Sequence, residues 1–273
     1  DVPLARIGDK GLFTKEIDRA VVGGEVDAAV HSLKDVPTRL ADGLAIGAVL
    51  EREDPRDVYI PAADAAQSLE ALPAGATVGT SSLRRRAQLL HLRPDLIVRD
   101  LRGNLDPRMK RLAEGGYDAI ILARAGVRRL GFEDAVSQVL EPPAWLPAVG
   151  QGALGIAIRE DDDATRELVA PLQHAETAAA TAAERAFLRA LEGGCQIPIG
   201  ALASIDAGRI VLHGFVAGVD GSPFLRGELE GSAEDAESVG TALARRLLDQ
   251  GAGGILDAIR GLETSKLPHA SAP

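Results

Sequence analysis

Between residues 77 and 123 the chain reads TVGT, SSLRRRAQLLHL, LIVRDL, DPRMKRLAEGG and YDAIILA, alternating short apolar runs with longer segments of helical spacing. Apolar runs without polar alternation suit strands covered on both faces, and helices carry the chain from one such strand to the next. The pattern restricts this stretch to an α/β unit with a largely parallel sheet. The same alternation precedes it. LFTKEIDRAVV (12–22) sets Phe13, Ile17, Ala20 and Val21 at helical spacing, and Gly23-Gly24 stops the helix. Strand-like DAAVHSL follows, then the turn residues KDVPTRLADG and a second apolar run, LAIGAVL.

EREDPRD (51–57) is charged and contains proline, so it reads as an exposed connector between two α/β units. EPPAWLP (141–147) is the exit from the second, and ALGIAIR (153–159) is a strand placed to return to the first. Two crossings make a hinged pair of domains with a cleft between them, where ligands lodge. The reading assigns 1–52 and 153–171 to the first domain and 56–149 to the second. Residues 174–262 change character: the Ala-rich helix ETAAATAAERAFLRALEGG, three strand-like runs (IGALASID, RIVLHGFVAG, PFLRGELEG) and a closing helix at AEDAESVGTALARRLLDQG. This predicts a small α+β domain with an antiparallel sheet, followed by a disordered tail over 263–273.

Composition narrows the function. No apolar run approaches a bilayer span and no segment reads as a signal peptide, so the expectation is a cytoplasmic protein without a membrane partner. Aromatics are 3% and the formal net charge is −10, which argues against nucleic acid. The charge is uneven: Arg84 to Arg129 hold 12 Lys or Arg against 5 Asp or Glu. Such a run is either a solvated set of helix faces or a site for anions.

GQGALG (150–155) matches GxGxxG but precedes a strand instead of opening a helix, so it is not a dinucleotide site. VGTSSLRRR (78–86) is more informative, because a strand end, three hydroxyls and an Arg-rich helix start offer an anion N–H groups and the positive end of a helix dipole. Ser81 serves there either as a simple N-cap or as an anion ligand. Arg99, Arg102 and Arg108 follow other strand ends and are placed to converge on the same cleft, which suggests a ligand with several carboxylates. HSLKDVP puts Ser32, Lys34 and Asp35 at a strand's C-terminal end, as a site or as a surface turn. His31 is expected to be a packed strand residue, and no metal site is expected. The sole cysteine, Cys195, cannot form an internal disulfide; inert filler, nucleophile and covalent anchor all remain open.

Taken together, GDKGLFTKEID, DAAVHSLKDVPT, EREDPRD, GTSSLRRRAQL, LRGNLDPRMKRL, YDAIILARAGVRRLG, LPAVGQGALGI and EGGCQIPIG resemble the hydroxymethylbilane synthase (porphobilinogen deaminase) family, in order from Pro3 to about Gly251. The resemblance implies two periplasmic-binding-protein-like α/β domains, hinged, plus the small C-terminal domain, in a monomer. It implies a dipyrromethane cofactor on Cys195 through a thioether, and head-to-tail condensation of four porphobilinogen molecules with release of ammonia. Carried over residue by residue, it makes Asp35 the catalytic carboxylate, which stabilises the cation left when the aminomethyl nitrogen departs. Lys34, Ser32, Thr80, Ser81, Ser82, Arg84, Arg85, Arg102 and Gly103 join Cys195 in binding the cofactor, and Lys10, Phe13, Arg108, Arg129 and Gln151 bind substrate. Family members open with a strand and helix bearing an Arg-x-x-Ser-Pro-Leu-Ala type motif that this sequence does not contain, so the first sheet is expected to lack a member. A two-domain solute-binding protein for a polycarboxylate would share the architecture but has no use for Asp35 or a loop cysteine. A nucleic-acid binder is the weaker third reading.

Overall fold

The computed structural model describes residues 15–191 and 197–265. Lys10, Phe13 and Cys195 lie outside them. In chain order the elements are α1 (Lys15–Val22), β1 (Ala28–Ser32), β2 (Leu44–Val49), β3 (Asp57–Pro61), β4 (Thr77–Gly79), α2 (Leu83–Leu92), β5 (Ile97–Arg99), α3 (Leu105–Ala113), β6 (Ala119–Ala123), α4 (Arg124–Arg129), β7 (Gln138–Leu140), β8 (Leu154–Arg159), α5 (Asp163–Val169), α6 (Ala175–Ala190), β9 (Ile199–Asp206), β10 (Arg209–Ala217), β11 (Phe224–Ser232), α7 (Ala236–Leu247) and α8 (Gly253–Ser265). Among the described residues no helix is long and apolar enough to cross a membrane.

The strands form three sheets, giving two α/β units and a C-terminal α+β unit. In the first, β8 returns from the second unit and inserts between β1 and β2, so the crossing back read from ALGIAIR is observed. The largely parallel sheet expected here is not. β8 runs against both neighbours, because a strand returning across the connector enters from the opposite end. The second sheet has the order β5-β4-β6-β3-β7 and is mixed: β4 lies parallel to β5 and β6, while β3 is antiparallel to β6 and β7. Here the alternation did generate parallel neighbours, and the antiparallel part comes from β3 and β7, which the pattern did not announce.

Local chemistry explains the helix starts. The Ser82 hydroxyl accepts from the Arg85 amide and caps α2, so the cap is Ser82 and not Ser81, which is exposed. α2 ends at Leu92 with Arg93 as its C-cap, because the ring of Pro94 disfavours helix at the residue ahead of it. The C-terminal unit is a β9-β10-β11 antiparallel meander with α6 and α7 packed on it, as predicted. A Cβ on Gly240 of α7 would collide with the Ala183 carbonyl of α6, so the two helices approach closely only because glycine stands there. Of the tail expected over 263–273, residues 263–265 belong to α8, and the remainder lies outside the described residues.

The connector is also corrected. Arg52 to Arg56 are half-buried rather than exposed, because their charges are paired across the crossings. Asp54 holds Arg56 and Arg124, Glu53 holds Arg128, and Arg56 reaches Glu141. The two crossings touch each other: a Cβ on Gly152 would overlap the Glu53 carbonyl. The glycines of GQGALG therefore serve close backbone approach.

Candidate functional site

Two charged clusters face each other across the crossings. The first is the turn after β1, where a short 3-10 segment over Leu33–Asp35 presents Lys34 and Asp35. Its backbone is set by the Val36 amide donating to Leu33 O and by Leu33 N donating to Ala153 O. Gly150 packs against it with φ +71°, and a Cβ there would lie 3.2 Å from Leu33 C and Lys34 N. His31, one strand residue earlier, is buried as expected, with Nε2 3.4 Å from Asp18 Oδ1.

The second cluster is built on Asp57, the first residue of β3 and fully buried. Its Oδ2 accepts from Arg84 Nη1 at 2.7 Å and Trp145 Nε1 at 2.8 Å; its Oδ1 accepts from Arg85 Nη2 at 2.7 Å and Gln151 Nε2 at 2.8 Å. Arg84 also donates to Leu146 O, and Arg85 to Ile121 O. Burial alone would raise the Asp57 carboxyl; the guanidiniums of Arg84 and then Arg85 outweigh it and hold the group well below the ordinary carboxylate range. Two buried cations thus share one buried carboxylate, which leaves the cluster with a net positive charge.

The clusters lie close enough to influence each other. Burial lowers the Lys34 amine from its ordinary 10.5, Arg85 and Arg84 push the same way, and Asp35 and Asp57 oppose them. Asp35 keeps an open side, but crowding by the protein raises its carboxyl above 3.8 against the pull of Lys34 and His31. Arg108 is lowered by burial and then by Arg85, so α3 brings a further cation to the group. Its Nε donates to Gly103 O at 2.8 Å, and Gly103 takes φ +102° where the chain turns into α3.

Of the other residues read from the sequence, Thr80 is buried and accepts from the Ser82 amide, and Ser32 closes β1 beside Lys34. Arg102 is exposed, 3.4 Å from Asp100, and Arg129 is exposed in the last turn of α4. Among the described residues no hydrogen bond joins either to the Lys34 turn. Gln151 is 1% exposed, and its amide nitrogen is committed to Pro55 O and Asp57, so its side chain is a buried strut rather than an open donor. Arg99 is exposed and contributes its carbonyl to the Thr80 amide.

Sequence reasoning missed Asp57, Trp145 and Glu184. The last, on α6, is fully buried and takes Arg52 Nη1 and Nη2 at 2.6 and 3.1 Å, the Gly150 amide at 2.7 Å and the Ala203 amide at 3.0 Å. A usable signal existed for Asp57, an acid immediately ahead of the apolar run VYI.

Solved structures with a similar fold include a Salmonella typhimurium periplasmic binding protein with high arginine specificity, at 16% identity over 57% of this chain and 69% of that one, TM-score 0.37. The periplasmic VFT2 domain of Bordetella pertussis BvgS matches at 18% identity over 57% and 64%, TM-score 0.35. An ancestral cationic amino acid solute binding protein matches at 20% over 58% and 66%, TM-score 0.34. Two family models match the sequence: residues 178–249 match "Porphobilinogen deaminase, C-terminal domain", and residues 1–167 match "Porphobilinogen deaminase, dipyromethane cofactor binding domain". With most of its length covered by these two domains, the chain belongs to the porphobilinogen deaminase (hydroxymethylbilane synthase) family of transferases.

Proposed function

We propose that this protein condenses four porphobilinogen molecules head to tail into hydroxymethylbilane, with release of ammonia at each step, on a dipyrromethane group held by Cys195 through a thioether. The observation that carries the reading is the Lys34–Asp35 turn set against the Arg84, Arg85 and Arg108 cations. The fit to a polycarboxylate rests on donors left over once Asp57 is satisfied. Buried Nε of Arg85 has no hydrogen-bond partner, and among the described residues Lys34 Nζ makes no hydrogen bond. When bound, the dipyrromethane supplies the pyrrole carbon onto which the product grows.

Lys34, Ser32, Thr80, Ser81, Ser82, Arg84, Arg85, Arg102 and Gly103 hold that group by its acetate and propionate side chains. Arg108 and Arg129, with Lys10 and Phe13, receive the incoming porphobilinogen, while Gln151 supports the site from behind through Asp57. Asp35 accepts hydrogen bonds from pyrrole N–H and faces the cation formed on the substrate as ammonia leaves, an electrostatic task suited to a carboxylate with one side open to a ligand. Its raised affinity for a proton also suits it to take up and return one between steps. The protein acts as a cytoplasmic monomer, with porphobilinogen as its small-molecule partner and with neither nucleic acid nor membrane.

Intact-protein mass spectrometry with mapping of the Cys195 peptide tests this. The expected result is a mass excess of two condensed porphobilinogen units on that peptide. A bare thiol that persists after incubation with porphobilinogen overturns the reading.

A further inference from the structure

Beside Glu184 on α6 stands Arg185, which has no part in the site described above. Its Nη1 donates to Val36 O at 3.0 Å and its Nη2 to Pro37 O at 2.7 Å. These are the two carbonyls directly after Asp35. A guanidinium is a planar fork, so bridging successive carbonyls fixes the orientation of the peptide between them as well as its distance. Among the described residues Arg185 has no carboxylate partner. Burial and then Arg189 push its guanidinium down to about 10, against Glu237. The two carbonyls compensate the desolvation of this cation, and what the fork adds beyond that is a fixed place for the turn relative to α6.

The turn bearing Asp35 has other restraints, but the Val36 N to Leu33 O bond and the wall formed by Gly150 come from the first unit and the return crossing. The Arg185 fork instead joins the turn to the C-terminal unit. α6 is one continuous helix to Ala190, and Cys195 follows five residues later. Arg185 and Glu184 thus let a single rigid rod grip the Asp35 turn and both crossings at consecutive positions.

We propose that Arg185 is a positioning residue that registers the Asp35 turn against α6 and the C-terminal unit. The inference rests on the function proposed above. Displacement of a reacting group by about 1 Å costs on the order of 100-fold in rate. In the full chain loaded with its cofactor, Arg185→Gln is therefore expected to lower kcat about 10- to 100-fold per loaded molecule, with KM for porphobilinogen within about twofold. Arg185→Lys, which keeps the charge but offers a point donor in place of a fork, recovers part of kcat and covers the case in which the glutamine variant folds poorly.

A second readout does not depend on turnover. Hydrogen exchange of the peptide spanning 33–36 speeds up in Arg185→Gln, while exchange in the β9–β10 hairpin stays as in the parent. Unchanged kcat per loaded molecule, a KM that rises as far as kcat falls, or unchanged exchange over 33–36 would each overturn the inference. If the parent chain itself never acquires the mass excess on Cys195, the functional reading fails instead, and the exchange experiment still decides whether Arg185 holds the turn.

Discussion

Arg52 and Glu184 form a two-pronged ion pair across 132 residues of sequence, with the carboxylate fully buried. Because Glu184 also takes the Gly150 and Ala203 amides, one side chain holds the outgoing crossing, the return crossing and the C-terminal sheet together. Glu184→Gln keeps the shape but leaves Arg52 without its counter-charge, and is expected to cost about 3–5 kcal/mol in urea unfolding. The double variant Arg52→Met/Glu184→Gln recovers part of that loss; a single-variant cost below about 1 kcal/mol would show the pair to be dispensable.

Asp57→Asn leaves Arg84 and Arg85 buried without a carboxylate, and is expected to destabilise by a similar ~3–5 kcal/mol. The effect depends on pH. Asp57 is held below its unfolded value of 3.8, so its contribution is complete above that pH and is lost only as pH falls through the lower folded-state value. Denaturation midpoints of parent and variant should therefore stay apart above pH 3.8 and converge in stronger acid. A gap that is constant with pH would assign the effect to packing.

Asp35→Asn is expected to lower turnover at least about 100-fold, the scale of losing one electrostatic stabiliser of a developing charge, with the fold intact by circular dichroism. Stability should move the other way. A carboxyl whose folded pKa is raised favours folding least when ionised, so the variant gains on the parent as pH rises from 3.8 through the raised value. Near-parental kinetics would remove Asp35 from the chemistry.

Lys34 should titrate below 10.5, since burial and Arg85 lower it. Carbon-13 NMR of reductively methylated protein reads this directly. Asp35→Asn should lower the midpoint further, because the Asp35 charge raises it in the parent. A rise on that substitution would contradict the geometry of the turn.

Gly150→Ala forces a side chain into a left-handed backbone and against Leu33 and Lys34, and is expected to cost about 1–3 kcal/mol along with turnover. Gly115→Ala meets the same backbone strain at φ +84° in open space, so it tests the contact separately. It should lower stability without lowering kcat.

Much of this protein is local and was legible as such. The strand–helix alternation, the helix started by the Thr-Ser-Ser segment, the return strand at Leu154–Arg159 and the Lys34–Asp35 turn at the end of β1 follow from periodicity, caps and turn residues, which act over a few positions. Family motifs extended that reading to Cys195, Lys10 and Phe13, which lie outside the described residues. Long-range pairing was left to the tertiary structure. It set β8 antiparallel to β1 and β2, folded the charged connector inward, and turned Gln151 from an open donor into a support for Asp57. It also gave Asp57, Glu184 and Arg185 their partners, the last across 149 residues. A buried charge is tolerated only where its counter-charge or carbonyls arrive, and that arrival depends on how sheets and crossings pack rather than on spacing along the chain.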